Sequence, residues 1–215
     1  MRVSAGVGLA LSLLVAGCAG GDRRADRPDP PDRRTIDSAE IRQCLADLRA
    51  AEVRFQPLPD RAFGGGCFAF GSVKLLDIGT PTTNLTAMTC PLAKTFAAWV
   101  RHGVRPAARI HFGTELARIE TFGSYSCRNV NGAAAGRRSE HASANAVDVA
   151  VFVLADGRRI PVKGGWRSDD PQVRAFLRAI HGSACKRFRT ILSPDYNRLH
   201  DDHFHFDMGR GPFCR

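Results

Sequence analysis

His200-Asp201-Asp202-His203-Phe204-His205 places three imidazoles and two carboxylates in six residues of a chain with only seven histidines. Far upstream, Ser139-Glu140-His141-Ala142-Ser143-Ala144-Asn145-Ala146-Val147-Asp148 adds a fourth imidazole and further carboxylates. Imidazole nitrogen and carboxylate oxygen are zinc ligands, and a site with three protein ligands keeps a fourth position open for chemistry. Three histidines in six residues have few other uses in a folded core.

Side-chain alternation assigns the residues to faces. If His203 to Asp207 is extended, His203, His205 and Asp207 share one face, and Phe204 and Phe206 share the other. The phenylalanines then pack a core while the histidines line a cleft. His141 and Asp148 are an odd number of residues apart, so one uninterrupted strand separates them. They converge only if a turn intervenes, and Ala142 to Asn145 suits one. Asp148 then enters an apolar strand, where a buried carboxylate needs a partner. A metal ion is one such partner.

The elements that must position these residues follow from periodicity. Asp37 to Arg54 reads as a helix, with Ile41, Leu45 and Leu48 on one face and Asp37 with Glu40 resembling a capping box. Gly64 to Gly66 forms a turn before Cys67, and strand-like runs occupy Phe68 to Ile78. Thr89 to Val104 reads as a second helix, with Pro91 in its first turn and Gly103 and Pro106 ending it. Its Trp99, like Trp166, is expected in the core. Ile110 to Cys127 contains a strand. Ala146 to Leu154 is a β-rich run closed by an Asp156-Gly157 turn, with Arg159 to Val162 returning beside it. Asp170-Pro171 opens a third helix to about Ala184. Thr190 to Leu192 and His203 to Asp207 are final strands. The mixture predicts an α+β fold, a small antiparallel sheet packed with helices, and the histidine face of the last strand would put a zinc site in a cleft on that sheet.

Ser139-x-His141 with Ala146-x-Asp148, followed by His203-x-His205, resembles the zinc signature of the D-alanyl-D-alanine carboxypeptidase and endopeptidase superfamily, which includes hedgehog-like domains. The wider run is similar to the extensin-like carboxy-terminal domain of exported bacterial proteins. Its marks are Cys90-Pro91, Gly123-Ser-Tyr-Ser-Cys-Arg128, Ser139-Glu-His-Ala142, Asp148-Val149 and Pro194-Asp-Tyr-Asn197 leading to His200-x-Asp202-His-Phe-His205. The resemblance implies a hedgehog-like fold holding one Zn2+ on His141, Asp148 and His205. It implies His203 as general base, with Asp202, three residues before the last ligand, as the alternative. Endopeptidase branches carry a His-x-x-His-x-His pattern like His200, His203 and His205, which leaves His200 as support beside the ligands. Arg128 aligns with a residue that binds the substrate carbonyl or its oxyanion, and Ser139 holds the loop. The superfamily usually has Gly where this chain has Ala144, a position suited to positive φ.

The amino terminus sets the compartment. Residues 1–17 read as an export signal, with Arg2 before an apolar run too short for a membrane span. Leu14-Val15-Ala16-Gly17-Cys18 resembles a lipobox, in which Cys18 is lipidated and becomes the mature terminus. Residues 18–37 form a tether rich in Arg, Asp and Pro and poor in apolar side chains. Its five arginines and five aspartates cancel, so the formal charge of +10 falls almost wholly on 38–215. A basic exported domain suits peptidoglycan or another anionic wall polymer, and the compartment excludes nucleic acid as an expected partner. The remaining six cysteines, Cys44, Cys67, Cys90, Cys127, Cys185 and Cys214, predict disulfides. Sequential pairing (44–67, 90–127, 185–214) is expected, each bridge bracketing one local unit.

Together these readings predict a periplasm-facing envelope lipoprotein, held to the membrane through its lipid. It would be a zinc metallopeptidase that cleaves peptidoglycan stem peptides or crosslinks. The alternative is a non-catalytic wall-binding or assembly module that keeps its zinc for stability.

Overall fold

The computed structural model describes Met1, Arg2 and residues 39–215. The rest of the expected export signal, the Cys18 lipidation site, the tether and Asp37 of the expected capping box lie outside the described residues.

Helix α1 (Ala39–Ala50) presents Cys44 and Leu48 inward. A small antiparallel sheet comes next, with β1 (Arg54–Pro57) beside β4 (Ser72–Asp77) and β4 beside β5 (Met88–Thr89). Between them, β2 (Arg61–Gly64) and β3 (Cys67–Ala69) form a separate hairpin. Its turn, Gly64-Gly65-Gly66, has positive φ throughout, a conformation that glycine adopts without steric cost.

Helix α2 (Cys90–Trp99) departs from the sequence expectation at its end. Gly103 and Pro106 do not stop the helical path. A π-turn at Val100–Val104 carries it into α3 (Arg105–Phe112). The widened turn accommodates Pro106, which has no N–H to give and sits in the first turn of α3. Gly103 serves packing instead, because a Cβ there would lie 2.4 Å from Ser183 Oγ. The path ends at Gly113, whose φ of 67° makes a left-handed cap. Ile110 is therefore helical, and the expected strand begins later, at Leu116.

The main sheet carries the site. Its order is β11 (Phe213–Cys214), β9 (Thr190–Leu192), β10 (Phe204–Asp207), β7 (Ala146–Leu154) and β6 (Leu116–Gly123), with β8 (Arg159–Pro161) also on β7. The β7–β8 hairpin turns at Asp156-Gly157 as predicted. All pairings are antiparallel except β11 with β9. A kinked turn, α4 (Val162–Gly165), leads to α5 (Pro171–Cys185), capped by Asp170, which accepts from Gln172 N and Val173 N. Among the described residues no helix is long and apolar enough to cross a membrane.

Alternation in β10 is as the sequence predicts. Phe204 and Phe206 are fully buried on the helix side. Phe206 meets Trp99 edge-on at 4.9 Å and stacks on Phe188 at 4.7 Å, and Phe204 lies 5.4 Å from Trp166. Trp99 anchors the layer by donating its indole N–H to Ile180 O at 3.0 Å. Fully burying one such ring is worth about 1.5–3 kcal/mol, so this face holds the strand in register. The other face of β10 is left for His205 and Asp207.

Three disulfides join Cys44 to Cys90, Cys67 to Cys127 and Cys185 to Cys214. Only the third agrees with sequential pairing. The first two cross between units because α1 packs on α2, and because the β2–β3 hairpin folds towards the segment before His141 rather than towards α1.

Candidate metal centre

His141 belongs to a single 3-10 turn, Glu140–Ser143. Ser139 caps it, its Oγ accepting from His141 N at 3.4 Å. The turn closes at Ala144, whose φ is 55°. The position therefore needs the left-handed backbone expected of it, although it carries a Cβ. That conformation costs an L-residue roughly 1–2 kcal/mol. The surrounding bonds hold it: Ala144 N donates to His141 O at 3.2 Å, and Ala144 O accepts from Thr89 N at 2.8 Å. The reversal is the turn that the odd spacing of His141 and Asp148 requires.

Asp148 and His205 face each other directly in the β7–β10 register. Their side chains meet His141 on the face away from the phenylalanines. His205 Nδ1 lies 2.9 Å from Asp148 Oδ1, His141 Nε2 lies 3.1 Å from Asp148 Oδ2, and the two ring nitrogens are 3.2 Å apart. All three residues are buried, and their ligand-capable atoms lie within 4.8 Å of one another.

The outer nitrogens decide what the inner ones can do. His141 Nδ1 is 2.7 Å from the Ser124 carbonyl oxygen, which only accepts, so this nitrogen carries the proton and donates. His205 Nε2 is 3.0 Å from Asp207 Oδ2 and donates to that carboxylate. In neutral rings, the inward atoms are then two nitrogen lone pairs and a carboxylate, all aimed at one point. Such a set calls for positive charge, which protons or a cation can supply. Burial pushes the His205 imidazole down, but the Asp148 and Asp207 carboxylates beside it lift it to about 9. Burial likewise opposes ionisation of Asp148, yet hydrogen bonds from His141 and His205 hold it far below the usual carboxylate range. The donor set fits Zn2+, which takes imidazole and carboxylate, and the outer partners fix ring orientation as ligating histidines require.

His203 stands just before β10 and aims into the same space. Its Nδ1 is 2.7 Å from Asp202 Oδ1, and its Nε2 is 3.6 Å from Asp148 Oδ1. Because β10 begins only at Phe204, Asp202 is not constrained to the opposite face. It reaches the outer nitrogen of His203 instead of the triad. His200 is buried and held through Nδ1 by Asn197 Oδ1 at 2.8 Å, its ring 5.0 Å from His203 and 6.0 Å from His205. Burial, with the nearby His203 and His205 charges, lowers it to about 4, so it stays neutral at pH 7. Arg128 places a guanidinium nitrogen 3.3 Å from Asp148 Oδ2 while remaining partly exposed. The histidines, carboxylates, arginine and serine singled out from the sequence are thus brought together. The site opens into a cleft of about 460 Å3 whose walls include Arg128, Ser139, His200 and His205.

Three contributors escape the sequence reading. Asp207 falls on the ligand face by alternation, and its contact with His205 is recoverable from their i, i+2 spacing, but alternation alone gives it no role. The Ser124 carbonyl and the Asn197 side chain act through backbone or loop contacts that no residue pattern announces. A second metal-capable group, His181 with Cys185 and Cys214, also lies together. Its sulfurs are joined in a disulfide, so they are not the thiolates that bind metals.

A family model for the extensin-like protein C-terminus matches residues 42–215. No curated protein and no solved structure matches the chain. The family match brings the domain but no activity with it. Since it spans most of the sequence, from α1 to the last residue, the chain belongs to the extensin-like protein C-terminus family.

Proposed function

We propose that this protein is a zinc-dependent peptidase of the bacterial cell envelope, lipid-anchored at Cys18, that cleaves peptide bonds in peptidoglycan stem peptides or crosslinks. The observation that carries the reading is the pairing of two unlike histidine environments. His141 and His205 turn ring nitrogens inward beside Asp148, while His203, held from behind by Asp202, presents Nε2 3.6 Å from the same carboxylate. A ligand set next to an oriented base is what metal-assisted hydrolysis needs.

His141, Asp148 and His205 would hold the ion. When bound, zinc polarises a carbonyl and acidifies water to a pKa of about 7. The remaining work falls to the chain's own side chains. His203 Nε2 takes the proton of the attacking water while the Asp202 carboxylate holds Nδ1–H and steadies the imidazolium. As the C–N bond breaks, the same Nε2 returns that proton to the leaving amine. Arg128, partly exposed beside Asp148, faces the negative charge that develops on the carbonyl oxygen. His200, neutral at pH 7, packs beside His203 without competing for its proton.

The test is product release from purified sacculi by the full chain loaded with zinc. His203→Ala should retain one zinc per chain and lose about 10²–10⁴-fold in rate. If no peptide is released by the parent, or if His203→Ala releases as much, the peptidase reading fails. Retained zinc with no release leaves the wall-binding module as the better account.

A further inference from the structure

Seven arginines on the described surface pair with carboxylates. Arg118 and Arg159 share Glu120, Arg167 and Arg178 share Asp195, and Arg54, Arg109 and Arg158 each hold one carboxylate. Others, such as Arg61 and Arg198, hold no carboxylate, and the cleft at the histidine site contains two of this second kind. Arg137 and Arg210 line it, and among the described residues neither guanidinium has a hydrogen-bond or ion-pair partner.

Their backbones are nevertheless fixed. Arg137 O accepts from Val130 N at 3.0 Å, and its neighbour Arg138 bridges to Asn129 and donates through Nε to Gly65 O at 2.6 Å. Arg210 O accepts from Thr190 Oγ1 at 2.7 Å, just after Gly209 N donates to Asp207 Oδ1. Two free guanidinium heads are thus carried on pinned chain.

Acidic groups of the same cleft do not answer them. Glu140 accepts from Asn145 Nδ2 at 2.8 Å, and Asp207 is held by His205 and Gly209. Asp148 is held by the histidines and Arg128. The Arg137 and Arg210 guanidinium groups of the cleft are therefore left without a carboxylate. Guanidinium is matched by the paired oxygens of a carboxylate, which it binds as a fork. Tyr196 and Phe213, in edge contact at 5.7 Å, add an apolar wall.

We propose that Arg137 and Arg210 hold free carboxylates of an acidic peptide bound in this cleft, and so select the substrate. The proposal rests on the peptidase reading for the reaction after binding, but not for binding itself. The test uses the full chain carrying His203→Ala, loaded with zinc, so that affinity is read without turnover. The probes are stem peptides released from sacculi, either native or with their carboxylates converted to amides.

Amidation of the probe should weaken binding about 10–100-fold, and so should Arg137→Gln with Arg210→Gln. Combining the two should add little, since both remove the same contacts. Zinc content and circular dichroism should match the parent in every variant. The proposal is overturned if the double variant binds native probe as tightly as the parent, or if neither probe binds. It is also overturned if Arg49→Gln with Arg54→Gln, which removes equal charge outside the cleft, weakens binding as much. Charge-dependent binding without cleavage by the His203 parent strikes the peptidase reading alone. Cleavage with an indifferent double variant strikes this proposal alone.

Discussion

His205 and His181 each stand beside two residues able to ligate a metal, but their surroundings differ in kind. Around His205, one ring nitrogen is engaged by Asp207 and the other faces Asp148 and His141. Around His181, both ring nitrogens lie 3.8 Å from sulfur, one from Cys185 and one from Cys214, and those sulfurs are bonded to each other. Burial lowers the His181 imidazole, whereas the two carboxylates raise that of His205. Proximity of ligand-type residues is common to both places. Only the first faces a buried carboxylate that calls for positive charge.

The largest expected effect breaks the comparison at its centre. Asp148→Ala should abolish zinc retention through desalting, because it removes a ligand and the charge that gathers the two imidazoles. His181→Ala should leave zinc at one equivalent per chain. Metal analysis of both variants decides the matter: equal zinc loss would place the metal at neither centre or at both. Cys214→Ser should act the other way round. It opens a loop of 29 residues, worth about 2–4 kcal/mol of stability, while zinc content stays unchanged. Denaturant titration with metal analysis on the same sample reads both outcomes.

In zinc-free protein, pH separates the groups by sign. His205, raised to about 9, contributes stability that is complete below its unfolded value of about 6.5 and is lost as pH rises through 9. His200, lowered to about 4, works oppositely, because it resists charging as pH falls from 6.5 towards 4. Asp148, held low, contributes stability that is lost as pH falls below the ordinary carboxylate range. Stability in the presence of chelator should therefore peak near pH 6.5 and decline on both sides. Unfolding free energies at pH 5, 6.5 and 9 check this. A profile flat from 6.5 to 9 would contradict the charged environment assigned to His205.

How much of this is legible in the residues depends on range. Strand alternation in Phe204 to Asp207, the β7–β8 hairpin and the Asp170 cap are local, and the sequence carries them. So is the demand for a turn between His141 and Asp148, met by Ala144 in a left-handed conformation. Disulfide pairing is not legible, because Cys44 and Cys90 meet only through helix packing, and Cys67 and Cys127 through a hairpin that turns towards another element. Pro106 reads as a stop in sequence, yet a π-turn absorbs it. Arg137 and Arg210 are invisible as cleft residues, since what distinguishes them is their place in the cleft wall, which only the fold creates.

The smallest of these effects tests the comparison most finely. Asp207 stands behind the His205 ring, away from its inward nitrogen. It engages the far nitrogen of His205 at 3.0 Å and is itself held by Gly209 N at 2.8 Å. Asp207→Asn keeps the size and an acceptor oxygen but removes the charge, so His205 keeps its orientation while its inward nitrogen becomes a weaker donor. Loss of such an outer partner typically costs a ligand site 10–100-fold in affinity. Zinc affinity measured by chelator competition should fall by about that factor, with the fold intact by circular dichroism. The His205 titration in the zinc-free protein, followed by NMR, should move down from about 9. A lowered affinity with an unmoved titration would mean that Asp207 only shapes the strand end. Both shifts together would mean that a second carboxylate, behind the ring, is what distinguishes His205 from His181.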